Sequence, residues 1–267
     1  YAPAPQWERI FFIPMKQSLV ILNFTHSYET QPFLHQYPAT WIDCTRLQGT
    51  DCYCSPESYK QLQEMLAPFP PEGLHLIDSG DYHYVTKLWT DKIDRPFSLV
   101  LFDHHPDMQP TLFDELLSCG CWVRTMLDTN PFLQKVCLIG ANEALKSEME
   151  GYDSRLIFFS EQSLASKKAW QFFSERHIHE PLYLSVDKDV LSPRFATTNW
   201  DQGSMTLPQL ESLLHIIMAH DDVLGIDVCG ELPPYLSQAG DDTAINETSN
   251  HSLIEFIGKY ATKKVNR

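Results

Sequence analysis

The sequence predicts one α/β domain, a three-layer αβα sandwich around a mainly parallel central sheet of about eight strands. Three observations predict it. Short continuous apolar runs recur along the chain, as strands covered on both faces require. Helical patterns with recognisable start signals lie between them, which makes a strand–helix alternation. Polar, chemistry-bearing residues follow several of the runs, where ligands bind in open parallel sheets.

The predicted strands are Leu19-Val20-Ile21-Leu22, Leu74-His75-Leu76-Ile77, Leu99-Val100-Leu101-Phe102, Val136-Cys137-Leu138-Ile139, Leu156-Ile157-Phe158-Phe159, Leu182 to Val186 and Val223-Leu224-Gly225-Ile226. Ser55-Pro56 reads as an N-cap followed by proline at the first helical position. Thr206-Leu207-Pro208-Gln209 has the pattern of a capping box ahead of Leu210, Leu213, Leu214 and Ile217. Ser160 or Ser163 caps a further helix through Trp170 and Phe173. No repeat, low-complexity tract or Gly/Ser linker divides the chain, so residues 15–267 read as a single domain. Residues 1–14 read as an upstream extension or a remnant of expression, ahead of a natural start at Met15-Lys16-Gln17.

The 267 residues are 43% hydrophobic and 21% charged, which is ordinary for a globular protein and excludes a disordered chain. The net charge of −15 argues against nucleic-acid binding, which needs clustered Lys and Arg. No apolar run reaches the roughly 18–20 residues of a membrane span. Seven cysteines are too few, and odd in number, for a disulfide framework in a chain of this length. Cys52 and Cys54 lack the partner pair of a structural zinc site. Reduced thiols in a cytoplasm are the expectation.

The chemistry gathers at three strand ends. Asp103-His104-His105-Pro106-Asp107 follows one run, and in extended chain Asp103, His105 and Asp107 share a face while His104 points away. Asp187-Lys188-Asp189 follows another, and Asp78-Ser79-Gly80-Asp81-Tyr82-His83 a third. Each alone fits a solvated turn. Four carboxylates in one crevice would repel unless cations neutralised them, and two divalent ions sharing bridging carboxylates would do so.

The three motifs and their order resemble those of the ureohydrolases: arginase, agmatinase and formiminoglutamase. The likeness rests on Ser79 to His83, on Asp103 to Asp107, and on Ser185-Val186-Asp187-Lys188-Asp189-Val190-Leu191-Ser192-Pro193, and it spans most of the chain from Met15. It implies an arginase-like fold and two manganese ions, with iron, cobalt or zinc as alternatives. His83, Asp103, Asp107 and Asp187 would hold one ion, and Asp103, His105, Asp187 and Asp189 the other. The implied activity is hydrolysis of a linear C–N bond in a guanidino, formimino or amide small molecule, through a metal-bridging hydroxide that Asp107 orients and whose proton it helps move toward the leaving group. Homo-oligomer formation is common in that family.

Two departures bear on the substrate. Where agmatinases carry a catalytic His, the stretch Ser118-Cys119-Gly120-Cys121-Trp122-Val123-Arg124 has Cys119, which reads either as a proton-transfer residue or as an inert thiol. Where the family has Asp-Val-Val-Glu, this chain has Asp227-Val228-Cys229-Gly230-Glu231, so the guanidinium-gripping Glu falls one residue late. Such a shift turns a side chain to the opposite face, unless a bulge at Gly230 restores it. Glu231 is therefore either a substrate-binding carboxylate or a loop residue. Trp122 and Trp200 are candidate pocket walls, Cys119, Cys121 and Cys229 are expected near the crevice, and His177 and His179 fit a solvated turn.

Two alternatives to the dinuclear hydrolase stand: a single-zinc deacetylase of small amides with the same fold, and a catalytically silent binding protein that keeps the metal cradle. The Asp-His-His triplet also resembles the DHH phosphoesterases, but the upstream Asp-x-Asp motif they need is missing before residue 103.

Overall fold

A computed structural model of the chain describes residues 19–111, 116–164, 180–237 and 240–263. The suggested extension, the start at Met15, the helical positions Trp170 and Phe173, and His177 and His179 lie outside the described residues.

Among the described residues, eight strands form one parallel sheet. They are β1 (Leu19–Asn23), β2 (Ala39–Asp43), β4 (Gly73–Leu76), β5 (Phe97–Phe102), β7 (Leu133–Ile139), β8 (Leu156–Phe159), β9 (Leu182–Asp187) and β10 (Val223–Cys229). Their spatial order is β2-β1-β4-β10-β9-β5-β7-β8. Two short strands, β3 (Tyr53–Cys54) and β6 (Leu117–Ser118), pair antiparallel beside it. All seven predicted runs are strands. β1, β4, β5 and β9 are buried along their whole length, because packed layers cover both faces of the sheet. Of the eight-stranded sheet, β2 is the one strand outside the seven predicted runs, and the two short strands β3 and β6 beside the sheet are outside them too. β2 lies at the sheet edge, and its residues alternate in exposure instead of forming an apolar run.

One core layer packs α1 (Pro56–Leu66), α2 (Val85–Thr90) and α3 (Trp122–Thr129) through Leu62, Leu66, Leu88, Trp89, Met126 and Leu127. A short helix α4 (Glu161–Leu164) follows β8. The opposite layer packs α5 (Leu207–His220) and α6 (Gly240–Lys263) through Leu210, Leu214, Ile217, Leu253, Ile254 and Ile257. The caps read from the sequence form. Ser55 Oγ accepts from Ser58 N, and Ser160 Oγ accepts from Ser163 N. Thr206 and Gln209 close a reciprocal capping box. α6 carries Asn246, Ser249 and Asn250 among its buried residues, which breaks the apolar periodicity that would announce a helix.

Candidate metal centre

The centre sits at the carboxyl ends of the neighbouring strands β4, β10, β9 and β5; β4, β9 and β5 contribute through the turns that follow them, and β10 through Asp227 within the strand. After β4, Ser79 caps a single 3₁₀ turn over Gly80–Tyr82, and that turn delivers His83. After β9, Asp187 accepts from Asp189 N through Oδ1 at 2.9 Å, so the Asp-Lys-Asp run closes into a 3₁₀ turn over Lys188–Val190. The two carboxylates converge through this turn, and not through the extended alternation that the sequence suggested. After β5 the chain is extended only in part. Asp103 Oδ1 accepts from His105 N at 2.6 Å, and Asp107 lies in the left-handed region at φ +51°. A non-glycine residue held there marks a conformation that the surroundings impose. The N-terminal turn of α3 imposes it. Val123 N donates to Asp107 O at 3.1 Å, and Trp122 Nε1 donates to Asp107 Oδ2 at 2.5 Å.

All six expected ligands come together. His83 Nδ1 lies 3.2 Å from Asp103 Oδ2, 3.1 Å from Asp107 Oδ2 and 3.5 Å from Asp187 Oδ2. His105 Nδ1 lies 2.7 Å from Asp189 Oδ2 and 3.8 Å from Asp103 Oδ1. The ligand atoms of His83, Asp103 and Asp107 fall within 4.8 Å of one another, as do those of Asp103, His105 and Asp189. Asp103 belongs to both groups, and its buried Oδ2 has no hydrogen-bond donor.

The electrostatics also call for cations. Burial and the neighbouring Asp189 and Asp107 raise Asp103 well above the carboxylate range. Burial, then Asp189, pushes Asp187 up to about 6. Burial opposes a charge on His105, yet the hydrogen bond and charge of Asp189 raise it to about 10. His83 is raised well above its usual value against the same burial, by Cys229, Asp103 and Asp107. Each shift favours the protonated form, and a divalent ion at the cradle would favour the charged carboxylates and neutral imidazoles instead. The donor set of carboxylates and imidazoles fits such ions.

A relay that the sequence reading missed fixes the tautomer of His83. Ser185 Oγ donates to Asp227 Oδ1 at 2.6 Å and lies 2.9 Å from His83 Nε2. The serine proton is spent on the aspartate, so the hydroxyl accepts from Nε2–H, and the Nδ1 lone pair is left for the cradle. Ser185 belongs to the motif already singled out, and the signal was its place two residues before Asp187.

A cavity of about 240 Å³ opens over the cradle. Cys119 lines it, as do Cys52, Gln109, Glu148 and Trp200. Cys119 N donates to Cys52 O at 2.9 Å, and the hydrogen bond with the Cys52 thiol together with burial pushes the Cys119 thiol far up, so it is protonated. Trp200 walls the cavity as expected, whereas Trp122 sits behind it and holds Asp107. His104 points away from the cradle, leaving only its backbone N to donate to Asp189 Oδ1 at 3.0 Å. Cys121 is buried at the start of α3, and Cys229 closes β10.

Glu231 is a correction. It does not line the cavity; it is buried, with Oε1 on Lys188 Nζ and with Gln31 and Asn250 donating to it. Gly230 adopts φ +90°, but this turns Glu231 toward Lys188 and away from the crevice. A side chain at position 230 has no room either, since a Cβ there would stand 2.5 Å from Asp187 Oδ1 and 2.7 Å from Lys188 N.

Comparison with known proteins agrees with this architecture. A protein of Thermotoga maritima is 32% identical over 214 residues, covering 80% of each chain. The agmatine ureohydrolase of Thermoplasma volcanium superposes with a TM-score of 0.67 at 14% identity, over 95% of this chain and 93% of the other. The formimidoylglutamase of Bacillus subtilis superposes at 0.66 and 15% identity, over 91% and 86%. The arginase family model matches residues 57–250, which span all three motifs, and on that match the chain belongs to the arginase family.

Proposed function

We propose that this protein is a dinuclear metal-dependent hydrolase of a C–N bond in a small guanidino, formimino or amide compound. The observation that carries the reading is the pair of ligand groups that share Asp103. His83, Asp103, Asp107 and Asp187 would hold one divalent ion, and Asp103, His105, Asp187 and Asp189 the other, with manganese the expectation and iron, cobalt or zinc as alternatives. Such ions, when bound, supply Lewis acidity that makes water a nucleophile near neutral pH.

The chain's own residues do the rest. Trp122 occupies Asp107 Oδ2 and leaves Oδ1 to take a proton from the attacking water and return it to the departing amine. Cys119 lines the cavity as a neutral thiol, placed to offer a hydrogen bond to a bound compound and not a thiolate base. Among the described residues no Lys or Arg lines the cavity, and beyond the cradle Glu148 is its charged group. That lining supports a substrate whose tail is neutral or cationic. Glu231, locked on Lys188, takes no part. All seven cysteines are free thiols, which supports a reducing, cytoplasmic setting.

The test is the metal content of the protein purified without chelator, beside an Asp103→Ala control, followed by a screen of guanidino, formimino and acylamino compounds. About two divalent ions per chain, lost in the control, with metal-dependent release of urea, formamide or carboxylate, support the proposal. About one zinc with amide hydrolysis supports the deacetylase reading instead. Two bound ions with no turnover across the screen support a silent binding protein.

A further inference from the structure

We propose that Cys229 is a thiolate ligand of the ion held by His83 and Asp187, so that this position of the pair takes zinc in preference to manganese. The inference rests on the metal-centre reading above. Cys229 is the last residue of β10 and stands in register with Asp187 on β9, so the two side chains emerge together at the same end of the sheet. The thiol is fully buried, and its Sγ lies 3.1 Å from Asp187 Oδ2. The ligand atoms of His83, Asp187 and Cys229 fall within 4.8 Å of one another, the same span as in the two carboxylate groups. A second observation points to a ligand at this place: the buried, undonated Oδ2 of Asp103 lies 3.2 Å from the same His83 Nδ1.

The consequence is asymmetry. Asp103, His105 and Asp189 offer oxygen and nitrogen only, which suits manganese. His83, Asp187 and Cys229 add a soft sulfur, and a thiolate favours zinc, cobalt or iron over manganese. On binding, the metal–sulfur bond forms as the thiol proton leaves to solvent. A thiol that only donates to Asp187 would give the same metal-free contact, so the test must detect the bond itself.

The probe is cobalt(II), added to the full chain after metal removal. The expected result is a thiolate-to-cobalt charge-transfer band in the near ultraviolet. It disappears in Cys229→Ala and Cys229→Ser with the cobalt stoichiometry kept, and persists in Cys52→Ala and Cys119→Ala. Two bound cobalt ions without the band overturn the ligand while leaving the metal centre standing. No bound cobalt overturns both. Competition of zinc against manganese gives a second readout: the zinc-over-manganese discrimination at one position is expected to fall by at least about tenfold from wild type to Cys229→Ser. Equal discrimination by wild type and Cys229→Ser overturns the proposal.

Discussion

Trp122 donates its indole N–H to the Asp107 oxygen that also lies 3.1 Å from His83 Nδ1, so one tryptophan positions a carboxylate at the centre of the cradle. Its ring packs against the His83 imidazole with centroids 4.8 Å apart. Trp122→Phe keeps the ring and removes the donor. Metal affinity is expected to fall about 10- to 100-fold, as for other partners that orient ligands, with circular dichroism unchanged. Isothermal titration with manganese measures it, and unchanged affinity would mean that the hydrogen bond is incidental.

Ser185→Ala cuts the relay between Asp227 and His83. Nε2–H then loses its acceptor, and the imidazole is free to present the wrong nitrogen. The same method should report a loss of about tenfold or more. Ser185→Thr, which restores a hydroxyl, should recover part of it, and a recovery no better than alanine would show that the loss came from packing.

Glu148 stands half-buried at the cavity wall, where burial and the nearby Asp107 raise its carboxyl above the ordinary value. If it receives a cationic tail, Glu148→Gln raises KM for the substrate found in the screen while kcat stays within about threefold, the signature of lost uniform binding. A fall in kcat at constant KM would place Glu148 in the chemistry instead.

Lys188 and Glu231 form an ion pair buried almost completely, and Asn250 of α6 donates to the same carboxylate. Removing one partner strands a buried charge. Lys188→Met is expected to cost about 3–5 kcal/mol in urea unfolding, and Lys188→Met/Glu231→Leu clearly less than the single change. A single variant within about 1 kcal/mol of wild type would mean that water reaches the pair.

His75 is fully buried in β4, stacked on Trp89 at 3.8 Å, with Nδ1 3.0 Å from Tyr183 Oη and Nε2 without a partner. Burial, then Lys92, lowers it to about 3. The sign follows: between about 3 and 6.5 the unfolded chain binds this proton and the folded chain does not, so stability falls as pH drops through that window. The full effect is at most about 5 kcal/mol. Measured on metal-free protein, His75→Phe should lose stability less steeply than wild type below about pH 6.5. Parallel curves would remove His75 from the acid response.

The sequence by itself determined the parallel α/β architecture and the acidic and imidazole residues that gather at the strand ends, because both are local. Buried strands must be continuous apolar runs, and Asp103, His105, Asp187 and Asp189 each sit where a run ends. Edge strand β2 and the polar-faced helix α6 escaped that reading, since neither carries the apolar period that burial on one stripe or two faces imposes. Tertiary structure decided the rest. Trp122, on helix α3, and Ser185, on β9, become partners of Asp107 and His83 only when separate elements pack together, and a 3₁₀ turn, not an extended chain, brings Asp187 and Asp189 together. Glu231 could not be placed from its spacing because its side chain follows the backbone turn at Gly230 and the charge of Lys188, a residue 43 positions away. Spacing along a chain fixes which face a side chain takes only while the backbone stays regular, and at this centre three of the four strands end in turns.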